Sequence, residues 1–258
     1  MSYLGGKKSV FKPLPEDECE NITGLYDGEI RYTDETLIGP LMIMLRNTGL
    51  YDQTMIVFLS DHGEEFYDHG GWGHGHSLYD ESLKVPLIVK FPQSKYHGSK
   101  SESIVSLVDV FPTIFEAVGL DISYLDIDGR SLLPVLEDKE IQDRWFLADV
   151  GSNVLNSHIP QKVATNQGKI KVIMNQDYNP EDLEFFSYPP AFMDSIELYD
   201  LAEDLQERKN LADAQPQLSR RIIRWIVEIY TRTGKRKIEK ADIDDSVEEQ
   251  LRALGYIR

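Results

Sequence analysis

The 258-residue chain is acidic, with 27 Lys and Arg against 44 Asp and Glu and a formal net charge of −17. That balance disfavours nucleic acid and anionic membrane as non-specific partners, and a hydrophobic content of 41% excludes a wholly disordered chain. The single cysteine, Cys19, rules out an intrachain disulfide and leaves the compartment open.

Residues 1–20 are polar and contain prolines, and they read as an extended arm or a truncated one, cut in mid-domain, with no apolar h-region and hence no expected signal peptide. Residues 23–47 carry Leu25, Ile30, Leu37, Ile38, Leu41 and Leu45 at helical spacing, which predicts a long helix. Thr23 is the expected N-cap, Gly49 follows the end, and Pro40 is the expected irregularity. Gly39 and Pro40 interrupt the longest apolar stretch, 37–45, which is too short to span a bilayer. The continuous apolar runs 54–60 and 85–91 predict strands buried on both faces of a mostly parallel sheet. Between them lie a loop rich in Gly and His (61–79) and a short helical stretch around 79–83. Residues 109–118 read as a helix with Asp109 at its mouth and Gly119 as its stop.

Beyond about residue 140 the pattern changes to short strands at 145–150, 162–166, 169–175 and 195–201, with a tight turn at 166–168. An amphipathic helix follows at 216–232, carrying Ile222, Ile223, Ile226, Val227 and Tyr230. An acidic stretch at 239–250 precedes a final short helical piece. The expected organisation is therefore an arm (1–20), an α/β part (21–140) and a small antiparallel β subdomain with a packed helix (141–258).

Four of the six histidines, His62, His69, His74 and His76, fall within residues 62–76, together with five glycines and with Asp61, Glu64, Glu65 and Asp68 nearby. Asp61-His62-Gly63 begins where the first apolar run ends, and ligands of open α/β sheets bind beyond strand carboxyl ends. A carboxylate and an imidazole are ordinary metal ligands, so Asp61 and His62 are candidate donors, to be weighed against a plain strand-end turn. His74 and His76, flanked by Gly73 and Gly75, are candidates to bind an anionic oxygen or to give a proton to a leaving group. A surface loop is the plain reading of the same glycines. His97 and His158 stand alone and read as structural or exposed.

At this point the chain resembles the sulfatase family of the alkaline phosphatase superfamily. The resemblance rests on LYDGEIRYTDETLIGPL (25–41), LYDQTMIVFLSDHGEEFYDHGGWGHGHSLYDESLKVPLIVKFP (50–92), SLVDVFPTIFEAVGL (106–120), DGRSLLPVL (128–136), GKIKVIMN (168–175), ELYDLAEDLQERKNLAD (197–213) and LRALGYI (251–257). It implies the C-terminal half of an alkaline-phosphatase-like domain. It also implies that Asp61 and His62 ligate a divalent metal, calcium first, with manganese or zinc suited to the imidazole. His74 falls where the family places a Lys or His against the sulfate. The implied reaction is metal-dependent hydrolysis of a sulfate ester.

The family's nucleophile is a formylglycine made from Cys or Ser in C-x-P-x-R or S-x-P-x-R. Cys19 stands in C-E-N-I-T and Ser187 in S-Y-P-P-A, so neither matches. The expectation is that this chain alone lacks the nucleophile segment and is inactive or nearly so. Two alternatives accompany the sulfatase reading. One is a phosphodiesterase, phosphonate monoester hydrolase or phosphoethanolamine-type transferase of the same superfamily. The other is a non-catalytic remnant, or a subunit that pairs with a separately encoded N-terminal half.

Overall fold

A computed structural model describes residues 14–137, 144–150, 162–175 and 196–233. The expected arm over residues 1–13, His158, the Ser187 segment and the terminal helical piece lie outside the described residues, as do the side chains of Val227 and Tyr230. Contacts group residues 1–219 into one compact unit and 220–258 into another.

The chain opens with helix α1 (Glu16–Thr33), a π-helical segment (Asp34–Ile38) and helix α2 (Gly39–Asn47) in continuous succession. The helix starts earlier than the sequence pattern predicts. Pro15, not Thr23, occupies the N-cap, and Glu16, Asp17 and Glu18 complement the helix dipole in the first turn. Thr23 lies inside the helix, and its hydroxyl donates to the Cys19 carbonyl at 3.1 Å. The π segment ends at Ile38, two residues before Pro40. Proline lacks the N–H that an α-helix would use at that point, and a wider turn accommodates the missing bond.

Strands β1 (Ile56–Leu59) and β4 (Leu87–Lys90) pair antiparallel, with Ile56 opposite Lys90 and Leu59 opposite Leu87. The mostly parallel sheet expected for these apolar runs is not what they form with each other. Their connection holds only the two-residue strands β2 (Glu65–Phe66) and β3 (Trp72–Gly73) and the short helix α3 (Asp80–Leu83), not the crossover helix a parallel pair needs. Apolar character on both faces gives no information on strand direction. Val57, Leu87 and Val89 line an apolar contact with Ile114 of helix α4 (Val110–Ala117) and with Leu132. Phe58 and Ile88, opposite each other on the other face, are 44% and 62% exposed.

Asp109 is buried at the start of α4. It accepts the Ser106 N–H as half of a capping box, the Arg130 N–H at 3.0 Å, and a bond from the Arg144 guanidinium. Gly129 is required nearby, because a Cβ there would lie 2.0 Å from the Val108 carbonyl oxygen. The short helix α5 (Leu133–Leu136) follows.

Strands β5 (Phe146–Val150), β6 (Lys162–Gln167), β7 (Ile170–Asn175) and β8 (Ile196–Asp200) form a four-stranded antiparallel sheet in sequence order. Leu78 and Tyr79, from the segment after β3, join Ala164, Ile173, Tyr199 and Leu201 in one apolar core. The site loop and the small sheet therefore share buried surface. Helix α6 (Pro216–Thr233) buries Ile222 and Ile226, four residues apart on one face. Among the described residues no helix is long and apolar enough to cross a membrane.

Candidate functional site

The turn after β1 is pinned from below. The Gly63 N–H donates to the Ser82 carbonyl at 2.8 Å, and a Cβ on Gly63 would meet the Glu81 carbonyl oxygen at 1.9 Å. Only glycine fits this close approach. The Ser60 hydroxyl donates to the His62 carbonyl at 2.6 Å, and Asp61 Oδ1 accepts the His62 N–H at 3.0 Å. The turn leaves the Asp61 and His62 side chains 80% and 44% exposed, with His62 Nε2 3.8 Å from Asp61 Oδ1.

His62 Nδ1 lies 2.8 Å from the Gly63 carbonyl oxygen. A carbonyl only accepts, so Nδ1 carries the proton and Nε2 presents its lone pair on the side of Asp61. Metal-binding imidazoles are commonly oriented by such a backbone contact. The donor pair is one hard oxygen and one borderline nitrogen at an open surface. Its chemistry fits a divalent cation, to which it could offer two ligand atoms.

The His74 ring stands over His62 with centroids 4.0 Å apart, and His74 Nδ1 lies 2.9 Å from Glu64 Oε2. Among the described residues, His62, Glu64 and His74 form a group whose potential ligand atoms all lie within 4.8 Å of one another. Sequence reasoning assigned Glu64 no role. The signal lies in the consecutive glutamates: Glu65 opens β2 and turns inward, while Glu64, just before the strand, reaches His74.

Substrate contact was expected at both His74 and His76, but the structure separates them. His76 is 1% exposed, and its Nε2–H donates to Glu65 Oε2 at 2.8 Å. Its place is beneath the loop rather than at the surface, because a fully buried carboxylate requires donors. Glu65 gathers three more from the Gly71 N–H (2.7 Å), the His69 N–H (3.0 Å) and the Ser77 hydroxyl (3.1 Å). Burial pushes the Glu65 carboxyl up, but the contacts with His76, Gly71 and His69 outweigh it and hold the group below the usual carboxylate range.

His69 stacks on Tyr79 with centroids 3.7 Å apart, and its Nδ1 lies 2.6 Å from Glu81 Oε1. Burial opposes its charge, but the Glu81 contact raises its pKa above the ordinary value. A second buried network lies under Tyr79. Glu197 accepts the Tyr79 and Tyr199 hydroxyls at 2.7 and 2.6 Å and the Asn175 amide at 2.6 Å. Burial, followed by the charge of Glu197, pushes both phenols up. Burial pushes Lys162 down to about 8, against the pull of Glu197 and Glu65.

Comparison with known proteins adds the following. Residues 2–120 match the family model Sulfatase, and residues 68–228 match the model for N-sulphoglucosamine sulphohydrolase, C-terminal. The chain is 32% identical over 218 residues to the multifunctional alkaline phosphatase superfamily protein PehA of Trinickia caryophylli, covering 82% of this chain and 40% of that protein. It is 29% identical over 226 residues to arylsulfatase K of Bos taurus, covering 84% and 38%. In three dimensions it resembles the phosphonate monoester hydrolase SpPMH from Silicibacter pomeroyi, with a TM-score of 0.56 at 23% identity, over 81% of this chain and 41% of that one. The chain thus spans about two fifths of the length of these curated relatives.

Proposed function

The chain belongs to the sulfatase family of the alkaline phosphatase superfamily, and from that premise we propose that it supplies part of a metal-dependent site for hydrolysing sulfate esters. The observation that carries the reading is the tip of β1. There the Gly63 carbonyl fixes the His62 tautomer, and Nε2 lies 3.8 Å from the Asp61 carboxylate at an open surface beside His74.

In this reading Asp61 and His62 are two of the ligands of a divalent ion, with calcium first and manganese or zinc as the alternatives that suit the imidazole. When bound, the ion would stabilise negative charge on the ester's non-bridging oxygens. His74 carries its Nδ1 proton toward Glu64, and its ring stands over that of His62. Its role is to contact a sulfate oxygen or to protonate the departing alcohol. No C-x-P-x-R or S-x-P-x-R motif occurs in the 258 residues, so the nucleophile is assigned to another part of the whole enzyme.

The exposed apolar face of β1 and β4, where Phe58 and Ile88 stand opposite each other, supports packing against the remainder of a larger domain, in the same polypeptide or as a separately encoded half.

The first test is calorimetric titration of the chain with Ca2+ and Mn2+. Asp61→Asn is expected to weaken binding by at least about tenfold, whereas Lys100→Ala, outside the site, leaves it unchanged. Equal binding by wild type and Asp61→Asn would overturn the ligand assignment. In the assembled enzyme the substrate class is read by comparing aryl sulfate turnover with that of a phosphonate monoester. The likeness to the phosphonate monoester hydrolase SpPMH supports a phosphonate monoester or phosphodiester hydrolase as the second reading, and preferential inhibition by phosphate over sulfate would favour it.

A further inference from the structure

The turn at 203–210 makes several contacts with the residues on either side of His74. His69 is the junction. Its Nδ1 lies 2.6 Å from Glu81 Oε1, and its Nε2 lies 3.0 Å from the Gln206 carbonyl oxygen and 3.2 Å from that of Glu207. A carboxylate and two carbonyls only accept, so both ring nitrogens must donate, which makes the ring an imidazolium. The face of that ring rests on Tyr79.

The far side of the junction is equally fixed. Glu207 is 2% exposed. It accepts the Asp80 N–H at 2.6 Å and lies 2.6 Å from Lys171 Nζ, which also reaches Asp80 at 2.8 Å. On the near side, the His69 and Gly71 N–H groups both donate to Glu65. Gly70, Gly71 and strand β3, whose Trp72 and Gly73 pair with β2, lead from there to His74. His69 thus anchors the outer end of the short hairpin that carries His74, beside the β2–β3 pairing and the Glu65 contacts.

We propose that His69 is a positioning residue: an imidazolium shared between Glu81 and the 206–207 carbonyls that clamps the 66–76 loop to the turn after β8. The fold is thereby enlisted to hold His74 in place. The consequence for catalysis rests on the reading of His74 above, while the clamp itself does not.

The charged and titratable groups that face His69 are Glu81 on α3, Glu207 and Arg208 on the turn, and Tyr79 beneath the ring, with Glu65 taking its backbone N–H. Burial and Arg208 oppose the charge, and Glu81 with the Glu207 carbonyl outweighs them. The folded-state pKa is raised, so the clamp is fully formed below the ordinary value of 6.5 and is lost as pH rises through the higher folded value.

Nitrogen-15 NMR of the histidine rings in the 258-residue chain tests this. Both His69 nitrogens are expected to remain protonated at a pH where an ordinary histidine, with a pKa of about 6.5, is neutral. Glu81→Gln should move that titration down. Amide hydrogen exchange over residues 66–76 should accelerate in step with His69 deprotonation, while β6 and β7 keep their protection. His69→Phe, which retains the stacking and removes both donors, should accelerate exchange in 66–76 at least about tenfold at pH 6. His69 titrating at or below the ordinary value, or loop exchange that ignores its titration, would overturn the proposal. Both readings are made on the wild-type chain, so they stand even if His69→Phe does not fold. Asp61→Asn should leave the His69 titration unchanged. Failure of the metal reading is thereby told apart from failure of the clamp.

Discussion

Replacing Glu65 by alanine removes one acceptor from four donors, and the expected cost follows from what remains behind. The carboxylate is completely buried. It takes bonds from His76 Nε2 at 2.8 Å, Gly71 N at 2.7 Å, His69 N at 3.0 Å and Ser77 Oγ at 3.1 Å. A hydrogen bond to a charged group is worth about 1.5–3 kcal/mol net, but four bonds to one group do not add. Breaking a buried pair and stranding its partner costs about 3–5 kcal/mol, and that is the loss expected for Glu65→Ala. Glu65→Gln keeps the shape and one set of lone pairs. Its amide N–H2 must face either the Gly71 and His69 donors or the His76 and Ser77 pair, so the expected loss is about 1.5–3 kcal/mol.

Urea unfolding followed by intrinsic fluorescence measures both losses, with an unchanged m-value identifying a loss of stability rather than a changed denatured state. The pH dependence supplies a second reading. The Glu65 pKa is held below its usual 4.5, so its contribution is fully present above 4.5 and is lost as pH falls through the lower folded value. Glu65→Gln should flatten that acid limb. A Glu65→Ala protein less than about 1 kcal/mol weaker than wild type would refute the reasoning, because the four donors would then have found other partners.

Two further outcomes are expected. Gly63→Ala places a methyl 1.9 Å from the Glu81 carbonyl oxygen, so backbone must move. The expected result is a loss of about 1–3 kcal/mol, as for overpacking elsewhere, together with weaker divalent-ion binding in the same calorimetric assay. Lys162 has a folded pKa depressed to about 8 from 10.5 by burial. The folded state therefore binds fewer protons between those values, and stability should rise as pH increases from 8 toward 10.5. Lys162→Met should remove that rise, which denaturant titrations at pH 8 and pH 10 would detect.

Several elements were legible without coordinates because their signals are local. The apolar runs at 54–60 and 85–91 contain β1 and β4, and the alternation near 162–175 contains the β6–β7 hairpin, turning at Gly168. The adjacency of Asp61 and His62 at a strand tip was likewise readable, since neighbours in sequence stay neighbours in space. The helix start at Glu16 is not legible, because Pro15 and the three acidic residues after it have the composition of a polar arm and no apolar period.

What the sequence alone determined is the set of residues fit for this chemistry and the short-range turns that expose them. Tertiary structure decided which of four closely spaced histidines does what. His74 meets Glu64 and His62 in the open, His76 sinks onto Glu65, and His69 reaches a turn more than 130 residues away. It also decided that β1 and β4 run antiparallel. The physical reason is the same in each case. Burial, charge compensation and strand direction depend on which distant groups arrive at a place, and spacing along the chain carries no record of those arrivals.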